Sequence, residues 1–287
     1  MTKKINYLYI GGHKCGSTWL HDMLVQHPEI DMPKQKEPRF FDIYYKKGFN
    51  FYYNLWGGEG LMGEFSTSYF IDKGALHRIR EHNPDVKLIL SLRNPLDRTI
   101  SHYKHWNRVS GVGNIEINQY LKDVPCVLDR SYYYKHLKEV FSLFQRENIK
   151  IILFDDIKNN PKEVVRSVFS YLEVGEGYLP KNLEKKTGEG FVPKFIFLEK
   201  FRQYVFSALY QANLQHIINF LRSVGVGRLF RKINSRKDYD IRAVDGEVMI
   251  NFIEELKELQ KLFIDNDYEK LNTTIQTWIS SIERDFK

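Results

Sequence analysis

The stretch NYLYIGGHKCGSTWLHDML, residues 6–24, constrains the fold more than any other part of the chain. A short apolar run meets two glycines, and the segment from Ser17 to Gln26 reads as a helix stopped by His27-Pro28. A buried strand feeding a glycine turn and then a helix brings backbone N–H groups and a helix N-terminus to one point, which is an anion site by geometry. Gly11 and Gly16 keep the spacing of a phosphate cradle that reads Gly, four free positions, Gly, Lys, then Ser or Thr. Here Ser17 stands where the lysine belongs and Lys14 lies inside the loop, so the cation is displaced while the hydroxyls of Ser17 and Thr18 remain.

The pattern continues as short apolar runs alternating with amphipathic segments, as a parallel-stranded α/β fold requires. VKLILSL at 86–92 is the clearest strand, and Asn94-Pro95 opens a helix to about Trp106. Asp129 is placed to cap a long helix through RSYYYKHLKEVFSLFQRE, IKIILFD from 149 is a further strand, and Asn160-Pro161 opens a helix ending near Gly175. This makes at least three strands with helical crossovers. Residues 175–194 read as a loop, and 195–222 and 245–282 as helices separated by the basic turn RLFRKINSRKD. The expected architecture is a P-loop-like central parallel β-sheet flanked by helices, with a helical C-terminal extension. It forms one domain over 1–287, with a core of about 5–194 and an extension of about 195–287.

A formal charge of +7 over 287 residues favours anionic partners but names none. Neither a helix-turn-helix pattern nor an aromatic RNA-binding signature is present, so nucleic acid is not the expected partner. Two cysteines, Cys15 and Cys126, build no disulfide framework. The amino-terminal residues are too short and wrongly flanked for a signal peptide, and no stretch reaches the roughly 18 apolar residues of a membrane span, which makes a cytoplasmic location the expectation.

KLILSLRNPLDRTISHYKHW repeats the logic of the first motif: a buried strand delivers Arg93 at its end, and Ser101 follows two turns into the next helix. Arginine is a planar fork suited to phosphate, and a nearby hydroxyl completes the shell; alternatively Arg93 simply pairs with Asp97. GGHKCGSTWL and LRNPLDRTISHY together resemble the two signature elements of the sulfotransferases that use 3′-phosphoadenosine 5′-phosphosulfate (PAPS). Between them, KEPRFFD at 36–42 and GEFSTSYF at 63–70 are similar to segments of heparan sulfate sulfotransferases and their bacterial relatives. Tyr133 with Leu137, and then ILFDDIKNNPKEVVRSVFSYLEV, continue the likeness. Phe65 departs from it, standing where the animal glycosaminoglycan enzymes carry lysine, as does Arg39, where several carry His or Gln.

The resemblance implies that Lys14, Cys15, Gly16, Ser17, Thr18 and Trp19 form the loop around the 5′-phosphosulfate, while Arg93 and Ser101 hold the 3′-phosphate. Tyr133, Lys186 and Gly188 join the nucleotide site, the last two from KKTGEGF at 185–191, which could equally be a solvated loop. It further implies sulfuryl transfer from PAPS, released as 3′,5′-adenosine bisphosphate (PAP), to a hydroxyl, with a sugar or glycolipid acceptor favoured and no metal required. Lys14 then stabilises charge on the departing nucleotide and Glu37 acts as general base. Lys36 and Arg39 would keep Glu37 ionised while Pro38, Phe40 and Phe41 would desolvate it, and sequence leaves that balance open.

A small-molecule kinase or other nucleoside triphosphatase is the alternative, with Asp155 or Asp156 at a strand end to help hold Mg²⁺. Glu64 is a second carboxylate that could assist, orient Lys14 or sit in an ion pair. His102 and His105 share a helical face without a third ligand at metal spacing. His13 flanks the loop, and Cys15 fills a small-residue position with no base partner in view. The aromatic segment Phe195, Phe197, Phe201, Tyr204, Phe206 and Tyr210 is expected to pack in the core, with a lipid-facing or subunit-facing stripe as the other possibility. The basic run 228–237 is either solvated or set against an anionic acceptor or membrane surface.

Overall fold

The computed structural model describes residues 4–110, 115–185, 193–212, 214, 217, 221, 226–235, 243–263 and 269–286. The chain opens with β1 (Tyr7–Gly11) and α1 (Ser17–Leu24), then runs through β2 (Ile30–Asp31), α2 (Gly48–Tyr53), β3 (Leu61–Phe65), α3 (Lys73–His82), β4 (Lys87–Leu92) and α4 (Pro95–Val109). Next come α5 (Ile117–Asp123), α6 (Cys126–Asp129), α7 (Tyr133–Leu143), β5 (Ile149–Leu153), α8 (Phe154–Asn159) and α9 (Pro161–Leu172). Four helices complete the described chain: α10 (Ile196–Gln211), α11 (Val226–Asn234), α12 (Gly246–Lys261) and α13 (Glu269–Phe286).

The five strands form one parallel sheet in the order β2-β3-β1-β4-β5. All five residues of β1 are buried, and β4 buries Leu88 through Leu92, because helices cover both faces of a parallel sheet and leave no solvated side. From β1 the chain reaches β3 on one side and β4 on the other. That reversal opens a crevice beyond the carboxyl ends of β1 and β4, the place where open α/β sheets hold ligands. Gly11 and the loop after it, and Arg93 after Leu92, stand at those two ends.

The architecture is the expected α/β sheet, with particular departures. β2 lies where the sequence carried no reading, since two residues are too few for alternation to register, and β3 overlaps a segment read only as a motif, since LMGEF is interrupted by Gly63 and Glu64. Gly63 is required by packing: a Cβ there would lie 1.9 Å from the Tyr7 ring across the strand pair. Asp129 caps no long helix. It ends the four-residue α6, and α7 starts only at Tyr133, after Ser131 has turned inward to accept from buried Arg98. The expected helix 245–282 is a hairpin, α12 and α13, and it is no appendage: Phe252, Leu256, Leu259, Ile275, Trp278 and Ile282 belong to the main hydrophobic core with Leu88, Leu90 and Val140. A second core on the opposite face joins Tyr9, Trp19, Leu20, Phe65, Ile89 and Phe169.

The aromatic segment at 195–210 departs most. Phe195, Phe197, Phe201 and Tyr204 are exposed rather than packed, and the helix instead buries Glu199. Tyr210 has no described side-chain environment.

Candidate active site

The loop after β1 is built by two short-range devices. Lys14 adopts φ 68° and Gly16 φ 97°, and a Cβ on Gly16 would meet Ile157 Cδ1 at 2.7 Å, so this turn needs glycine both for its left-handed backbone and for its close approach to α8. Ser91, next to the carboxyl end of β4, then pins the loop: its carbonyl accepts from Gly12 N–H at 2.9 Å and its hydroxyl donates to the Cys15 carbonyl at 2.7 Å. Tyr9 meets the same hydroxyl from β1. Nothing in the sequence marked Ser91 or Tyr9, because their task depends on β1 and β4 being neighbours.

Gly16 is the residue before α1, so the first amides of that helix have no intrahelical partner and face the turn. Ser17 and Thr18 follow. Lys36 Nζ donates to Thr18 Oγ1 at 2.8 Å and to Ser17 Oγ at 3.4 Å. A hydroxyl that accepts from an ammonium keeps its own proton to donate elsewhere, so Lys36 leaves both hydroxyls ready for an anion. Trp19, by contrast, is buried in the second core and donates Nε1–H to the Leu183 carbonyl at 2.9 Å. Its side chain anchors the segment leading to Lys186 and Gly188, which lie outside the described residues.

Arg93 meets the loop from β4. Its Nη1 donates to the Lys14 carbonyl at 3.4 Å, its guanidinium lies 4.4 Å from the Phe154 ring centroid, and Asp97 Oδ2 stands 3.8 Å from Nη2. Ser101 lies one turn beyond Asp97 on α4, hence on the same helical face, and is half-buried. Tyr133 OH donates to the Arg93 carbonyl at 2.8 Å and approaches Cys15 Sγ at 3.9 Å, tying loop, strand end and α7 together. Burial pushes the Cys15 thiol up to about 11, so it is un-ionised at neutral pH and poor as a nucleophile.

The electrostatics are one-sided. Burial and the surrounding Arg108, Arg93, Lys36 and Arg98 lower the Lys14 ammonium to about 8. Arg98 is fully buried and, among the described residues, bonds neutral groups: Ser131 Oγ at 2.6 Å, the Val127 carbonyl at 2.6 Å and Thr99 Oγ1 at 3.2 Å. Its Nη1 and the Nε of Arg93 are buried with no hydrogen-bond partner among the described residues. Converging cations with orphaned donors cost free energy unless an anion joins them. A polyanionic nucleotide fits that deficit.

The second segment lies alongside. Glu37 is half-buried and accepts from Thr67 Oγ1 through Oε1 at 3.3 Å, which joins KEPRFF to GEFSTSYF. Arg39 N–H donates to Ser66 Oγ at 3.1 Å in the same junction. The flanking cations are drawn to other partners: Arg39 is taken by Asp42 at 2.7 Å, and Lys36 reaches the helix hydroxyls. Lys36 stays close enough for the Glu37 charge to oppose the burial that lowers its pKa. Phe65 is stacked on Tyr9 at 4.6 Å in the second core, so the position where relatives carry lysine is apolar packing here.

Among the described residues Glu64 forms no ion pair. It is fully buried on β3, and burial pushes it up to about 7 against the pull of Tyr69, Tyr52 and Ser66 nearby. His13 joins His102 and His105, with ring centroids 4.9 and 6.5 Å away, a grouping hidden in sequence by the distance between loop and helix. Burial first, and then the neighbouring cations and imidazoles, lower all three, His102 to about 3 and His105 to about 4, so they are neutral at pH 7. Among the described residues no group of His, Cys, Asp and Glu is arranged to hold a metal ion. Asp155 and Asp156, the acids a kinase would need, are engaged elsewhere: Asp155 Oδ2 accepts from Trp278 Nε1 at 2.8 Å and Asp156 pairs with Lys270 at 2.8 Å.

Comparison with known proteins points to one family. The model of the sulfotransferase domain family matches residues 5–187, more than half of the chain. Human heparan sulfate glucosamine 3-O-sulfotransferase 6 is 38% identical over 100 residues, covering 33% of this chain and 29% of its own. Mouse heparan sulfate glucosamine 3-O-sulfotransferase 3A1 is 28% identical over 176 residues, covering 58% and 44%. The chain thus matches less than half the length of these relatives. A solved sulfotransferase from Alicyclobacillus acidocaldarius superposes with a TM-score of 0.57 at 27% identity, over 65% of this chain and 87% of that one.

Proposed function

This chain belongs to the sulfotransferase domain family, and from that premise we propose that it moves the sulfuryl group of PAPS to an acceptor hydroxyl, a sugar or glycolipid hydroxyl being favoured. The observation that carries the reading is the meeting of Lys14 and Arg93, from different strand ends, across one 3.4 Å contact beside the N-terminus of α1. Sugar acceptors are suggested by what the relatives named above act on.

When bound, PAPS supplies the sulfuryl group and leaves as PAP. The amides at the start of α1, with the Ser17 and Thr18 hydroxyls, bind the 5′ end. Arg93 and Ser101 bind the 3′-phosphate. Lys14, mostly protonated below about pH 8, would stabilise the negative charge that the departing nucleotide gains. Glu37 accepts the acceptor's hydroxyl proton on Oε2, while Thr67 holds Oε1 and fixes the carboxylate plane. The apolar packing of Phe40 and Phe41 behind this segment excludes water from one side of it.

Radiolabelled PAPS and a panel of sugar, glycolipid and phenolic acceptors test the proposal. Transfer is expected to fall on the order of 10²-fold or more in Lys14→Ala and in Glu37→Ala. Full activity in both variants would remove the mechanism. Tight binding of ATP·Mg with none of PAP would remove the donor.

A further inference from the structure

Helix α10 is inside out. Its inward side carries Glu199, 1% exposed and paired with Arg202, and Gln203, whose Nε2 donates to the Arg108 carbonyl at 3.0 Å. Its outward side carries Phe197, Phe201 and Tyr204, at 67%, 66% and 73% exposure, with exposed Lys200 between them. The spacing i, i+3, i+4, i+7 places these four on one face. Water alone selects the opposite arrangement, so an aromatic stripe held outward by buried polar anchors marks a surface with a partner.

α11 extends the surface. Val226, Leu229 and Ile233 are exposed at i, i+3 and i+7, beside exposed Lys232. The two helices are bound at their ends: Asn234 Oδ1 accepts from Phe195 N–H at 2.7 Å, Asn234 Nδ2 donates to the Phe195 carbonyl at 3.1 Å, and Lys194 N–H donates to the Asn234 carbonyl at 2.7 Å. Arg202 lies between them, 5.5 Å from the Phe206 ring and 5.7 Å from the Phe230 ring.

Charge decides what covers this face. Among the described side chains of residues 193–212 and 226–235, Lys194, Lys200 and Lys232 are exposed, while the one acidic residue, Glu199, is buried and paired with Arg202. A two-fold contact with a second copy would set the same basic patch against itself. An anionic bilayer offers what both parts of the surface lack: an apolar layer for Phe197, Phe201, Tyr204, Leu229 and Ile233, and headgroup charge for the lysines around them.

We propose that the exposed face of α10 and α11 is an interfacial docking surface for an anionic lipid bilayer. Among the described residues no helix is long and apolar enough to cross a membrane, so the contact is peripheral. Through Gln203 the docked helix is bound to α4, whose Arg108 is among the charges acting on Lys14, so the cleft is held at a set distance from the bilayer.

The test is flotation of the full chain with vesicles of phosphatidylcholine alone and of phosphatidylcholine mixed with phosphatidylserine. Binding to the mixed vesicles, falling steeply with added salt, is expected. Lys200→Gln/Lys232→Gln should weaken it about 25-fold, at about fivefold per neutralised lysine. Phe197→Ser/Phe201→Ser/Tyr204→Ser should weaken it on the order of 100-fold. Because these side chains face solvent, the melting temperature of both variants should match that of the parent, which circular dichroism checks. Failure of the parent to float with mixed vesicles, or unchanged binding by both variants, overturns the proposal. So does concentration-dependent dimerisation that the aromatic triple substitution abolishes in a chain that ignores vesicles.

Discussion

Replacing Glu64 by glutamine should make the protein more resistant to alkaline conditions, by an amount that the carboxyl's surroundings set. Glu64 lies on β3 opposite Leu8 of β1 and is fully buried; Tyr69, Tyr52 and Ser66 lie near its carboxyl and oppose the effect of burial, but among the described residues neither oxygen has a hydrogen bond of good geometry. Burial therefore dominates, and the carboxyl is raised from 4.5 to about 7. A carboxyl raised on folding is fully compatible with the native state below its unfolded pKa, and its contribution is lost as pH rises through the folded one. The window runs from about 4.5 to about 7, and at about 1.4 kcal/mol per unit the loss is about 3 kcal/mol. Glutamine keeps the shape and does not titrate. Urea unfolding of parent and Glu64→Gln, at about pH 5 and about pH 8.5, should show the variant gaining roughly 2–3 kcal/mol on the parent between the two conditions. Glu255, also raised to about 7, is present in both proteins and cancels in the difference. The slope is the readout, since an offset common to both pH values reports only the packing of an amide. A gap that stays constant with pH, or a parent that gains on the variant as pH rises, would refute the reasoning and mean that the hydroxyls of Tyr69, Tyr52 and Ser66 outweigh burial at Glu64.

Affinity for PAP should be steady below about pH 8 and fall above it as the buried Lys14 ammonium, lowered by desolvation and by Arg108, loses its charge; calorimetry across that range checks this, with the break absent from Lys14→Ala. Gly16→Ala should cost about 1–3 kcal/mol in urea unfolding, because alanine at φ 97° is strained and its Cβ meets Ile157, and PAP binding should weaken with it. Trp278→Ala should cost about 3–5 kcal/mol in a single cooperative transition, since Trp278 is packed in the main core and bonded to Asp155; a separate early transition of the C-terminal helices would contradict that.

The two strand-to-helix signatures were legible because their information is local. A glycine that must adopt positive φ, a serine and threonine opening a helix, and an arginine closing a buried apolar run each announce themselves within a few residues. From these follow the parallel α/β class and the turn that sets Lys14 beside Arg93. The sequence could not say that Lys36 reaches Ser17 and Thr18, that Thr67 takes hold of Glu37, or that His13 joins His102 and His105. Such contacts span loops whose course is set by the sheet order β2-β3-β1-β4-β5 and by nothing local. The helical tail shows the same division. Its amphipathic periods reveal helices, yet whether a stripe of phenylalanines turns inward or outward depends on what the neighbouring element offers. Glu199 and Gln203 found partners on the inside, and the aromatic residues were left facing out. Backbone geometry and periodicity are properties of neighbours along the chain, whereas burial, charge convergence and a carboxyl's pKa are properties of neighbours in space, which exist only once the sheet has assembled.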